Sequence, residues 1–292
     1  MFPSAKIVTG EKIQQQCEKY FGTPSDFLFN PKTGRDTWKH HDVTIWNDVI
    51  DNPKLLFCYS RSLPFFAAKV HLLKNEFVLV THNSDHCVDL NDESVKRILN
   101  SGKCLKWFAQ NLVSVSNNIV LPLPIGIANS QWQHGNLQVF DDGSLHMHNT
   151  TKTKPIYFQF KIQTCPSKRN ECFAKVAPLV PWLPSVPPSD NLIRLKEYQF
   201  CICPEGNGPD THRFWEALYV RTVPIVLKSN FIANFQMYHV PMVALDKWED
   251  LATTILRYED YDFTDPVFLG LIDMDLLRES IVASSTTPSA TT

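Results

Sequence analysis

From Phe200 to Leu227 the chain reads FCICPEGNGPDTHRFWEALYVRTVPIVL, and this one run commits its surroundings to a strand, a loop, a helix and a second strand. Gly206, Gly208 and Pro209 interrupt the backbone, and apolar residues from Thr211 to Tyr219 recur at helical spacing. Asp210 is a suitable N-cap for that helix, and Val223 to Leu227 is a short apolar run of strand length.

A Gly-rich loop opening a helix is an anion site. The first-turn amides have no intrahelical partner and sit at the positive end of the helix dipole, which favours a phosphate by about 0.3–1 kcal/mol. At 100 degrees per residue, Phe214, Trp215 and Leu218 fall on one face, with His212, Arg213 and Glu216 opposite. Arg213 offers a forked contact to phosphate, and Glu216 can accept hydrogen bonds from a ribose diol. The same pair also fits a plain ion pair along an exposed helix.

The alternation continues elsewhere. Glu76 to Thr81 (EFVLVT) reads as a buried strand delivering the loop THNSDHC, and such loops are where open α/β sheets bind ligands. Asp92 to Asn100 reads as a capped amphipathic helix, and Ile119 to Ile127, interrupted by prolines, as an edge strand or an extended approach to the loop ANSQWQHGN. Asn149 to Pro155 is polar and suits a linker, after which IYFQFKIQ from Ile156 to Gln163 alternates like a strand and ECFAKVAPLV like a helix. The fold class expected is α/β in two units, residues 1–150 and 151–292, the second ending in a polar tail from Ser284.

Composition narrows the function. A hydrophobic content of 43% over 292 residues supports two cores of ordinary size. A formal net charge of −2 without Lys/Arg blocks disfavours a nucleic-acid partner. No apolar stretch reaches the length of a membrane span or secretory signal, so a soluble, intracellular protein without a membrane partner is expected. The eight cysteines are scattered, with no metal-ligand spacing, and read as reduced and mostly buried.

The run around Arg213 and Glu216 resembles the donor-site signature of exostosin-type glycosyltransferases, especially the compact forms of large algal viruses. The likeness extends to GEKIQQQCEKYFGTPSDFLFNP, VLVTHNSDHCVDL, KWFAQN and PIGIANSQWQHGN, and so covers most of the chain. It departs at Arg221 and Thr222, where such proteins more often carry a small residue and Gly.

The resemblance implies a GT-B architecture, two nucleotide-binding-like α/β domains facing across a cleft, with the acceptor on residues 1–150 and the donor on 151–292. It implies an inverting transfer from a UDP-sugar, UDP-xylose in the leading case, to a glycan such as the N-glycan of a viral capsid protein, placing the protein in host cytoplasm if it is viral. The alternative is a catalytically inactive nucleotide- or glycan-binding protein on the same fold.

Roles follow residue by residue. Donor binding is expected from Thr164, Lys168, Arg169, Glu205, Gly206, Asn207, Gly208, Asp210, Thr211, His212, Arg213 and Glu216. The base that takes the acceptor proton is expected to be Asp85, with His82 and then His134 as competitors. Acceptor contacts are expected from Asn83, Asn129, Gln131 and Trp132, and loop indoles such as Trp107 are further candidates for stacking on a sugar. No cofactor or metal is expected, since Asp260 with Asp262 and Asp273 with Asp275 lie late in acidic, turn-rich sequence.

Overall fold

A computed structural model describes residues 2–21, 54–145 and 152–286. The first helix, α1 (Gly10–Gln15), precedes a parallel sheet of β1 (Lys19–Phe21), β2 (Leu55–Tyr59), β3 (Phe77–His82), β4 (Cys104–Ala109) and β5 (Val120–Pro122) in sequential order. Helices α2 (Leu63–Lys69) and α3 (Glu93–Asn100) supply two of the crossovers, and Asp92 caps α3 by accepting from the Ser94 and Val95 amides. A second parallel sheet runs β6 (Lys154–Tyr157), β7 (Tyr198–Ile202), β8 (Val223–Leu227) and β9 (Val243–Leu245). Around it lie α4 (Pro166–Val176), α5 (Pro188–Leu195), α6 (His212–Tyr219), α7 (Asn230–Gln236) and α8 (Pro266–Ile272), before α9 (Met274–Thr286) ends the described chain. The molecule is therefore α/β with two parallel sheets, and no described helix is long and apolar enough to cross a membrane.

Sequential strand order with right-handed crossovers puts α2 and α3 on one face of the first sheet and leaves the other to be covered from elsewhere. Ile13 of α1 and Met274, Leu277 and Ile281 of α9 cover it, packing with Phe57, Val78, Val80 and Phe108. Residues 274–281, which the sequence division groups with the second half, thus belong to the core of the first sheet. Conversely, Ile7, Ile127 and Phe140 pack into the core around α6.

Three local expectations need correcting. The strand expected to Gln163 stops at Tyr157, because the backbone changes partners: the Phe158 carbonyl accepts from Leu183 and the Gln159 carbonyl from Arg213, while Phe158 and Phe160 pack edge-on against Trp182. The linker expected at Asn149–Pro155 lies partly outside the described residues. Within it Lys152 is buried, its ammonium donating to the Lys196 carbonyl at 2.6 Å and to Thr222 Oγ1 at 2.9 Å, and burial pushes its pKa down to about 7. The tail expected from Ser284 begins inside α9, and residues 287–292 lie outside the described residues.

The unusual Arg221-Thr222 pair has a clear geometry. The Thr222 amide bonds the Ala217 carbonyl at 2.8 Å and the Arg221 amide bonds Leu218 at 3.0 Å, a Schellman end to α6 with Arg221 at φ 56°. A β-carbon is disfavoured there, so Arg221→Gly is expected to raise stability by about 0.5–1 kcal/mol in chemical denaturation. A variant less stable than the parent would refute this. Thr222 is kept from being Gly by its buried hydroxyl, which contacts the Leu195 and Tyr198 carbonyls at 3.1 and 2.9 Å besides Lys152.

Candidate functional site

A cleft of about 650 Å³ opens among segments that follow the C-terminal ends of the strands in both sheets. Asp85 follows β3, Ile125, Trp132 and His134 follow β5, Thr164 and Arg169 follow β6, and Gly206 to Glu216 follow β7. This is the edge where open parallel sheets place ligands. The two halves are stitched together beneath it. Asn234 of α7 reaches the Leu112 and Ser114 carbonyls, and Val8 donates to the Tyr219 hydroxyl at 2.8 Å.

Thr211, not Asp210, is the N-cap of α6, and its side chain makes no capping bond. Asp210 is instead buried with its carboxylate spanning the halves: Oδ1 accepts from Trp215 Nε1 at 2.7 Å and Oδ2 from the Ile125 amide at 2.6 Å. Burial pushes its pKa up to about 7 despite these donors and the Thr211 amide, which pull the other way. The Asp210 amide in turn donates to Asn111 Oδ1 at 3.0 Å.

Gly208 is dictated by that contact. A β-carbon at 208 would lie 2.8 Å from Asn111 Nδ2, which is itself bonded to the Ser84 carbonyl.

Arg213 and Glu216 do meet, Nε to Oε2 at 3.0 Å, but as a largely covered pair rather than an exposed one, Glu216 buried and the Arg213 side chain 19% exposed. The remaining guanidinium nitrogens reach the Gln159 carbonyl at 2.8 Å and Asn191 Oδ1 at 3.1 Å, with the Tyr157 ring 5.3 Å away. Burial is the largest single influence and works against the Arg213 charge, but Glu216 together with the neighbouring Cys201, Tyr157 and Cys203 holds the guanidinium above its ordinary value. The fork expected on a phosphate is thus largely turned onto the protein, leaving one N–H on each terminal nitrogen. Asn191 Nδ2 also donates to Glu216 Oε2, at 3.2 Å, so Oε1 is the oxygen left to a ligand.

Arg169 is the better placed cation. Its Nε bonds the Glu205 carbonyl at 2.9 Å and Nη1 the Lys161 carbonyl at 2.7 Å, which aims Nη2 past Gly206 on the cleft wall. Lys168 and Glu205 are elsewhere than expected. They pair with each other and line a separate, largely apolar cavity of about 250 Å³ behind the loop.

On the facing side, Asp85 is exposed, and Asn207 Nδ2 lies 3.3 Å from its Oδ2, joining the loop after β3 to the loop after β7. His134 lines the cleft between Trp132 and His212, and Trp132 is 53% exposed there. His82 does not reach it. Its Nε2 is 3.0 Å from the Pro124 carbonyl, its Nδ1 takes the Asn83 amide, and burial lowers its pKa to about 4. A ring with both nitrogens engaged cannot collect a proton from an acceptor, so His82 leaves the list of bases.

Asn83 and Asn129 are also internal. Asn129 donates to Asn83 Oδ1 at 3.0 Å, Asn83 donates to Gln14 at 2.9 Å, and Asn129 Oδ1 takes the Glu11 amide. Gln131 buries its Oε1 rather than lining the cleft. Trp107 is wholly buried in β4, its Nε1 on Thr81 Oγ1 at 2.9 Å.

The paired aspartates have local work: Asp262 accepts from Thr264, and Asp273 pairs with Lys6. Among the described residues no group of three or more metal-type side chains converges.

Sequence reasoning missed Asn111 and Asn191, which orient the loop and the Arg213–Glu216 pair, because single asparagines carry no periodic signal. No family model matches the chain, and no curated protein matches it.

Proposed function

We propose that the chain is an inverting glycosyltransferase of GT-B type that transfers a sugar, xylose from UDP-xylose in the leading assignment, to a glycan acceptor such as the N-glycan of a viral capsid protein. The observation that carries this reading is the Arg169 side chain beside the open first turn of α6, in one cleft with Glu216 and Asp85. A diphosphate would meet Arg169, the α6 amides and the remaining Arg213 N–H groups. The ribose diol would meet Glu216.

The acceptor hydroxyl gives its proton to Asp85 as its oxygen forms the new bond to the anomeric carbon. The bond from that carbon to the diphosphate oxygen breaks, its electron pair leaving with UDP. The developing negative charge is stabilised by Arg169 and the helix terminus, with protein cations rather than a metal ion as its partners.

A thermal-shift screen of UDP-sugars, with and without chelator, tests the reading, followed by transfer to glycans. The expected result is stabilisation by UDP and one UDP-sugar, insensitive to chelator, together with turnover or slow hydrolysis of that sugar. Binding of UDP without turnover of any UDP-sugar would leave a nucleotide-binding protein instead.

Glu216→Gln keeps an oxygen for Arg213 but weakens the acceptor at the ribose, and is expected to reduce UDP affinity about 10-fold by calorimetry. Unchanged affinity would remove Glu216 from the ribose.

A further inference from the structure

The donor grip leaves one ring on the cleft wall without a task. His212 opens α6, and its Nδ1 lies 2.9 Å from the Gly126 carbonyl oxygen. A carbonyl only accepts, so Nδ1 carries the proton and the lone pair of the neutral ring sits on Nε2. Burial, opposed by the Gly126 contact, lowers the pKa of this ring and favours that neutral form.

Nε2 has no hydrogen-bond partner among the described residues, and the ring lines the cleft. His134 holds it edge-on at 5.7 Å and is itself near-parallel to Trp132, at 6.3 Å and 23°. The tautomer and the orientation are therefore both fixed, with an acceptor left for the cleft.

An acceptor is the wrong partner for a phosphate, whose oxygens are acceptors too. It suits a hydroxyl. We propose that His212 Nε2 accepts a hydrogen bond from a hydroxyl of the transferred sugar, making His212 a specificity-determining residue rather than the phosphate partner expected from sequence. The inference rests on the nucleotide-sugar reading above. The flat wall of Trp132 and His134 beside it would face the apolar side of the same or the adjoining ring.

Two substitutions separate this role from a structural one. His212→Asn retains a donor for Gly126 but loses the acceptor, whereas His212→Gln sacrifices the Gly126 contact and keeps an oxygen near the Nε2 position. The probes are UDP, UDP-xylose (or whichever UDP-sugar the screen selects) and its deoxyfluoro analogues, in which one hydroxyl at a time can no longer donate.

The wild type is expected to disfavour one analogue by about 10–100-fold in kcat/KM. His212→Asn should bind UDP within about two-fold of wild type, lose about 10–100-fold on the parent donor, and no longer distinguish that analogue. His212→Gln should recover most of the loss.

The reverse order, with Asn intact and Gln impaired, would make the ring a mere tie to Gly126 and overturn the proposal. An equal loss of UDP affinity would make it a phosphate partner, and a collapse of kcat at unchanged donor affinity would make it the base; either overturns it. A wild type that discriminates against none of the analogues overturns it whether or not the variants fold. A wild type that binds neither UDP nor any UDP-sugar removes the nucleotide-sugar reading itself, and this inference with it.

Discussion

Asp85→Asn is expected to lower turnover by about 10²- to 10⁴-fold while leaving UDP affinity within about two-fold. The substitution preserves shape and an oxygen that can accept from Asn207, 3.3 Å away in the present geometry, so the loop after β3 keeps its place. What it removes is basicity. Because Asp85 lies across the cleft from Arg169 and Glu216, its loss should appear in kcat and not in donor binding. Single-turnover transfer alongside UDP calorimetry checks both. An Asn variant with undiminished turnover would transfer the base role to His134, the other candidate that lines the cleft; His82 is ruled out by its engaged ring nitrogens.

Asp210→Asn is expected to cost about 2–4 kcal/mol of stability at pH 5, measured by urea denaturation. At pH 5 the group is a neutral carboxyl, whose carbonyl oxygen accepts from one of Trp215 Nε1 and the Ile125 amide while its hydroxyl oxygen keeps a lone pair for the other. An amide must turn its NH₂ toward one of those donors, leaving both buried and unsatisfied.

The pH dependence has a definite sign. Burial raises the folded-state pKa of Asp210 to about 7, above the ordinary carboxylate value, so the folded protein holds that proton longer than the unfolded chain. The resulting stability is present in full below about pH 4 and is lost as pH rises through 7. The gap between wild type and Asp210→Asn should therefore narrow from pH 5 to pH 8. A gap that widens would mean that the three donors win over burial and the carboxylate is ionised throughout.

The contrast between Asp210 and the helix it precedes shows what a sequence of this kind discloses. The unit β7, loop, α6 and β8 was legible because each of its signals is local: glycines and proline in the loop, helical spacing from Thr211 to Tyr219, and an apolar run after it. For the same reason β3 and the Asp92 cap of α3 were legible.

Asp210 has the right residue type for a cap, and local rules place it there. Its actual partners are an indole five residues on and an amide 85 residues back, and no local rule reports such a pair. His82 and Lys152 fail the same way, since burial of a polar side chain depends on which distant carbonyls converge on it. Within the site, Arg169, Arg213, Glu216, Asp85, His134 and Trp132 were brought to one cleft. Lys168, Glu205, Asn83 and Asn129 were not, because sequence adjacency to a functional loop does not decide on which side of it a side chain emerges.

The return of α9 to the first sheet has a consequence for the nascent chain. Met274, Leu277 and Ile281 are synthesised after every strand of both sheets, yet they cover Phe57, Val78, Val80 and Phe108. Throughout translation of the second sheet, among the described residues that face of the first has only the short α1 and its neighbours over it. An apolar sheet face held open while synthesis proceeds at about 5–20 residues per second is a surface for holdase chaperones and for self-association. Folding of the earliest described strands is thus completed by a helix synthesised after all the other described elements, and a chain interrupted before Met274 would yield an adhesive fragment rather than a smaller working domain.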